Sequence, residues 1–294
     1  MHPETRRFVQ GCLLALPLSL LLWAGILFGL GGIASAVRGK PTPGARAVVA
    51  TLTPRAHLPL VVAQSIKGVA LTSAVAHYAD VATVNAGWYY TWSETFSKTS
   101  LVSAEFVPMV HGPTLSIPCP ARLLVFNEPD LDTSPYSYHV SPADAAVKVA
   151  AIADLCPDTA LVIGNVSQDG LGWLLEFQAE YDALPNRGPY VGAYGFHAYC
   201  WQTATGCLSV IAAFSAALPG RELWLSEMAV FHAYDTPQEV ERLMAAAQAC
   251  CARYAWYTNR AWPPGDPWTD REFYLFDSAG ALTPAGQAFE AWAQ

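Results

Sequence analysis

Apolar runs of about four to seven residues recur along the chain, separated by polar turns or by segments with helical spacing. The runs fall at 66–70, 84–90, 105–110, 123–127, 161–165, 194–198, 223–226 and 253–257. Each reads as a short strand. Between several of them lie helix-like stretches, at 142–155, 208–218 and 237–252. Ser141 before Pro142 supplies an N-cap followed by proline at the first helical position. Eight strands with intervening helices predict an α/β fold, a parallel (β/α)8 TIM barrel over residues 65–294. The intervals after the second and third runs are short for a helix. An open doubly wound sheet is the alternative, but it calls for a glycine-rich phosphate turn after its first strand. Residues 67–74, KGVALTSA, do not supply one.

Residues 8–37 form one uncharged apolar stretch. Thirty residues of helix would span roughly 45 Å, enough to cross a bilayer with tilt. The segment 1–37 is therefore expected to be a transmembrane signal anchor. A cleaved signal peptide is the competing reading, because Arg6 and Arg7 precede the run and Ala34-Ser35-Ala36 follows it. Residues 38–64, rich in Pro, Ala and Arg, read as a linker. Either reading of the N-terminus places the main domain outside the cytoplasm, tethered to the membrane through the N-terminal segment or secreted. Six of the seven cysteines lie beyond that segment, an even number compatible with disulfides in an oxidising compartment. Cys200 and Cys207 flank a short loop, and Cys119 and Cys156 each precede a strand.

Composition narrows the partners. A net charge of −8 argues against nucleic acid, which demands clustered Lys and Arg. No cysteine or histidine spacing suggests a metal site, and no cofactor is expected. Ten Trp, thirteen Tyr and twelve Phe are many for 294 residues, and several fall where strands should end.

The strand ends also carry the candidate chemistry. The fourth run ends in Asn127-Glu128 and the seventh is followed by Glu227. In a barrel the working residues sit at the carboxyl ends of strands, and strands four and seven face each other across its mouth. Paired carboxylates there suit a retaining glycosidase, with Glu128 as acid/base and Glu227 as nucleophile. Asn127 is placed to bond a sugar hydroxyl. Trp88, Tyr89, Tyr90 and Trp92 close the second run as candidate sugar-stacking rings. His197 is a candidate to orient the nucleophile and Tyr199 to donate its hydroxyl to it. His111 is a candidate sugar contact and Trp256 a candidate floor beneath the reactive sugar. Asp130 reads as a cap or ion-pair residue near the acid/base.

In order, the segments GWYYTWS (87–93), FVPMVHG (106–112), LLVFNEPDL (123–131), GFHAY (195–199), LWLSEMAV (223–230), YAWY (254–257) and DSAGALTPAGQAF (277–289) resemble glycoside hydrolase family 128. The resemblance implies a clan of barrels with acid/base and nucleophile on strands four and seven. It further implies endo-hydrolysis of β-1,3-glucan without a cofactor, Glu128 as proton donor and Glu227 as nucleophile. Two departures stand out. His111 occupies a place where such proteins carry Trp, and Ala198 stands between His197 and Tyr199 where they carry Trp. The alternatives are a non-catalytic glycan-binding protein on the same barrel, and a hydrolase or transglycosylase for another β-linked polysaccharide.

Overall fold

The computed structural model describes residues 66–72, 77–95, 103–112, 115–132, 137–185, 192–261 and 273–293, all within one compact unit, Leu60–Gln294. The expected N-terminal span and linker lie outside the described residues. Among the described residues no helix is long and apolar enough to cross a membrane.

Nine strands form one all-parallel sheet. They are β1 (Lys67–Ala70), β2 (Trp88–Tyr90), β3 (Glu105–Phe106), β4 (Met109–Val110), β5 (Arg122–Val125), β6 (Ala160–Val166), β7 (Gly192–Cys200), β8 (Glu222–Val230) and β9 (Arg253–Trp256). Their order is β3-β2-β1-β9-β8-β7-β6-β5-β4. The two ends of that series, β3 and β4, are separated in the chain only by Val107 and Pro108. They are the halves of the expected third strand. The proline has no N–H to give the ladder, yet its carbonyl accepts from Leu124 N, while Val107 N donates to Tyr89 O. The chain there switches partner from β2 to β5, giving the sheet its barrel-like form.

The helices are α1 (Tyr78–Thr83), α2 (Pro142–Leu155), α3 (Leu171–Ala183), α4 (Ala204–Ala217), α5 (Pro237–Cys250) and α6 (Pro284–Ala291). Three begin alike. Ser141, Thr236 and Thr283 each cap with a side-chain oxygen and are followed by proline, a cap worth about 1 kcal/mol. In α5 the buried residues Val240, Leu243, Met244 and Ala247 recur at three- and four-residue spacing, so one face packs inward. Strands β6 and β8 are buried along almost their whole length, as a sheet covered by helices requires.

Expected boundaries shift in places. Residues 84–87 are turn, not strand. β8 runs on to Val230 instead of stopping at Ser226, because its far half pairs with an equally extended β7. Helix α2 falls at the expected residues. Among the described residues the cysteines pair as Cys119–Cys156 and Cys200–Cys207, leaving Cys250 and Cys251 as thiols. The first bridge ties the residues before β5 to the C-cap of α2, at the amino ends of strands β5 and β6.

Candidate active site

Glu227 lies within β8, where the pairing slips. Phe196 is opposite Leu225 and His197 opposite Glu227, so Ser226 is the extra residue. A bulge of this kind re-aims the side chains beside it. Glu227 is 3% exposed, and such burial of a carboxylate is tolerable only with donors around it. Tyr90 OH donates to its Oε1 at 2.8 Å and Trp92 Nε1 to the same oxygen at 2.9 Å. Tyr199 OH donates to Oε2. Burial raises the Glu227 pKa and Glu128 adds to that, while His197 and the Tyr199 and Tyr90 hydroxyls pull it down.

Glu128 follows β5 on a turn with left-handed backbone. Phe126 has φ 69° and Glu128 φ 45°. Trp92 and Asn165, at φ 54° and 47°, share that region. Each costs of order 1–3 kcal/mol in a non-glycine residue. Four of the five such residues among those described thus crowd one end of the sheet. Asn165 holds the turn. Its backbone carbonyl accepts from Glu128 N at 2.9 Å, and its amide donates to the carbonyls of Val125 and Phe126 at 3.3 and 3.2 Å. Gly195 makes room for it, since a Cβ there would stand 2.1 Å from Asn165 Oδ1.

His197 links the two carboxylates. Its Nδ1 is 3.0 Å from Glu128 Oε1 and 3.6 Å from Glu227 Oε2, and the ring is fully buried. Burial alone would lower the imidazole pKa, but Glu227 and Glu128 together outweigh it and the net shift is upward. Asp130, expected as a cap or ion-pair residue, accepts from Ser167 N and Oγ at 2.9 and 2.5 Å, just before the N-cap Gly170 of α3.

Of the expected residues, the structure gathers Glu128, Glu227, Tyr90, Trp92, His197 and Tyr199 around these contacts. Asn127 is buried beside them, its carbonyl accepting from Tyr138 N. His111 Nε2 lies 3.3 Å from Trp92 O and steadies that turn.

Three expected sugar contacts are corrected. Trp88 sits at the opposite end of its strand, against Gly68 and Trp224, with Nε1 donating to Ile66 O. Tyr89, by strand alternation, faces outward onto Phe106. Trp256 packs on Phe289 of α6 and donates to Phe273 O. All three rings are fully buried.

The next residue, Tyr257, is the one that reaches the site, with ring contacts to Trp92 and Tyr199 at 5.8 and 5.5 Å. Tyr138, whose ring stacks on Phe126 and lies beside His111, was also missed. Asn165 left one signal, a Gly-Asn pair near a strand end, which favours left-handed backbone. Among the described residues no cluster of three His, Cys, Asp or Glu side chains could hold a metal.

The family described as glycosyl hydrolase catalytic core matches residues 68–289. The chain belongs to this family. The protein is a glycoside hydrolase, and its match takes in every strand from β2 to β9 and both carboxylates. No curated protein matches the chain in sequence.

Solved structures share the fold of this glycoside hydrolase. A glycoside hydrolase family 128 (subgroup II) endo-β-1,3-glucanase from Sorangium cellulosum is 24% identical, covering 78% of this chain and 98% of its own, with a TM-score of 0.59. A subgroup I endo-β-1,3-glucanase from Amycolatopsis mediterranei, in complex with laminaritriose, is 23% identical over 76% of this chain and 98% of its own, at 0.60. A subgroup VII oligosaccharide-binding protein from Trichoderma gamsii is 18% identical over 76% and 91%, at 0.55.

Proposed function

We propose that this glycoside hydrolase is a retaining endo-β-1,3-glucanase on a (β/α)8 barrel, with β3 and β4 together forming one of eight staves. The observation that carries the mechanism is the single His197 nitrogen within 3.0 and 3.6 Å of the two carboxylates. Carboxyl groups so near each other suit the retaining separation of about 5–5.5 Å, which leaves no room for a water between acid and base.

Their surroundings divide the roles. Glu227 is gripped by three donors, which orient it and favour its ionised form. It acts as nucleophile on the anomeric carbon. Glu128, on the turn after β5 and with its side chain more open to solvent, donates a proton to the departing glycosidic oxygen. The glycosyl–Glu227 ester then forms as the C–O bond breaks. Glu128, now a carboxylate, takes a proton from water, and the hydroxide oxygen displaces Glu227 to give the hemiacetal product. No cofactor enters.

The β-1,3-glucan assignment is supported by the ordered motifs and by the shared fold with family 128 glucanases. The oligosaccharide-binding neighbour has a similar fold, so fold by itself does not choose between binding and cleavage. The paired carboxylates favour cleavage. An extracytoplasmic location, with residues 1–37 as anchor or leader, is supported by the uncharged 8–37 stretch and by two disulfides.

The test is reducing-end release from β-1,3-, β-1,4- and mixed-linkage glucans by residues 38–294, with Glu128→Gln and Glu227→Gln beside it. Release from β-1,3-glucan alone, lost in both variants, supports the reading. Release from another glucan moves the substrate, and binding without release in all three proteins overturns the enzyme reading for glucan.

A further inference from the structure

Aromatic side chains continue outward from the carboxylates along the ends of β7 and β8. Tyr199, bonded to Glu227, has its ring 5.6 Å from Phe273. Phe273 is buried and lies 5.6 Å from Trp201 and 5.8 Å from Phe231. Trp201 and Phe231 are also in ring contact, and Phe231 touches Tyr234 in the 3-10 turn His232–Tyr234. Trp201 and Tyr234 are the exposed members, at 45% and 41%.

Leaving an indole so open at the surface has a cost, and here the chain holds it in place. Cys200, the residue before it, is bridged to Cys207 in the first turn of α4. Cys200 O accepts from Phe231 N at 2.9 Å. On the other side of the short turn, Ala204 N donates to Glu239 Oε2 at 2.6 Å, and Arg242 pairs with Glu239 at 2.7 Å. A disulfide, a strand-end hydrogen bond and a charged cap therefore fix a three-residue turn that buries little of its own. Fixing rings before a ligand arrives lowers the ordering cost of binding.

We propose that Trp201, supported by Phe273 and Phe231 and flanked by Tyr234, is a sugar-binding ledge that stacks a glucose ring of the polysaccharide beyond the units at the cleavage point. The proposal rests on the glucanase reading above and adds a chain-length requirement to it. Its ligand is a β-linked glucan long enough to reach past Tyr199. The indole offers a flat apolar face, matching the C–H face of a pyranose ring. Short substrates, held only at the carboxylates, do not touch the ledge.

The experiment compares wild type, Trp201→Ala, Trp201→Phe and the Cys200→Ser/Cys207→Ser pair on β-1,3-linked oligosaccharides of increasing length and on the soluble polymer. Trp201→Ala is expected to raise KM for the polymer about three- to tenfold, the loss of one stacked ring, with kcat and the shortest cleaved oligosaccharide unaffected. Trp201→Phe restores most of the affinity, and the cysteine pair shifts KM in the same direction as Trp201→Ala. An equal loss at every length, or no change at any, overturns the ledge while leaving the glucanase intact. A wild type inactive at every length overturns the glucanase reading and the ledge with it.

Discussion

Tyr90 and Glu227, 137 residues apart in sequence, are joined by a 2.8 Å hydrogen bond between two buried side chains. The hydroxyl meets a carboxylate that burial pushes toward its neutral form. A donor to a charged acceptor contributes about 1.5–3 kcal/mol. In Tyr90→Phe the kcat/KM is expected to fall about ten- to a hundredfold. The acidic limb of the pH profile should also move to higher pH, since one group favouring the carboxylate is gone. A fall in rate with an unmoved limb would show that the hydroxyl does not tune Glu227.

Substitution of the acid/base should be separable from that of the nucleophile. Glu128→Ala removes the proton donor but leaves Glu227 and its three donors. It is expected to retain activity on an aryl glucoside whose leaving group needs no proton, while losing about a hundredfold or more on glucan. Glu227→Ala should lose both activities. Equal losses on the two substrates in Glu128→Ala would reverse or erase the assignment.

His197 gives stability a pH dependence of definite sign. Burial opposes its charge, but Glu227 and Glu128 leave its folded pKa raised. The folded state thus binds this proton more tightly than the unfolded chain. The contribution is complete below about pH 6.5, the unfolded value, and is lost as pH rises through the folded value. The Tm gap between wild type and His197→Gln should therefore be widest near about pH 5.5 and narrow toward about pH 9. A gap that widens with pH contradicts the paired-carboxylate account.

Lys67 has the opposite sign. Its ammonium donates to the carbonyls of Phe289, Glu290 and Trp292 at the end of α6, yet burial lowers its pKa to about 8, with Glu290 opposing. Between about 8 and the ordinary value of 10.5 the unfolded chain holds the proton that the folded protein has released. Stability from this residue therefore rises across that window. Denaturant midpoints for Lys67→Met should lack the rise seen in wild type, and a parallel rise in both would assign it elsewhere.

The Cys119–Cys156 bridge joins residues 37 positions apart and closes a loop containing β5, Glu128 and α2. Its removal in Cys119→Ser/Cys156→Ser is expected to cost about 2–4 kcal/mol of stability. It sits at the amino ends of the strands, away from the carboxylates, so kcat at moderate temperature should be unchanged. A large loss of kcat in folded protein would mean that the bridge positions Glu128.

Local pattern made much of this architecture legible. Consecutive apolar residues in strands such as β6 report burial on both faces. Ser141-Pro142 marks the start of α2 because cap and proline act within one turn. Asn127-Glu128 and Glu227 stand out because carboxylates beside apolar strands are costly without a role.

The succession of strands, the helices α2, α4 and α5, and the end of the sheet that carries the glutamates are therefore legible along the chain, whereas α1, α3 and α6 are not among the helices its pattern marks. Tertiary structure alone decided which aromatic rings face the site. Trp88, Tyr89 and Trp256 look as suitable as Tyr90, Trp92 and Tyr257 in a one-dimensional reading, because ring type does not record the face. One step along a strand reverses the side chain, and the slips beside Ser226 and Glu227 change the count again. The left-handed turns at Phe126, Glu128 and Asn165 are held by bonds between β5 and β6. The bridge that His197 makes between Glu128 and Glu227 exists only once β7 lies between their strands. Those contacts join residues tens of positions apart, and no local pattern encodes a distance that the closing of the sheet creates.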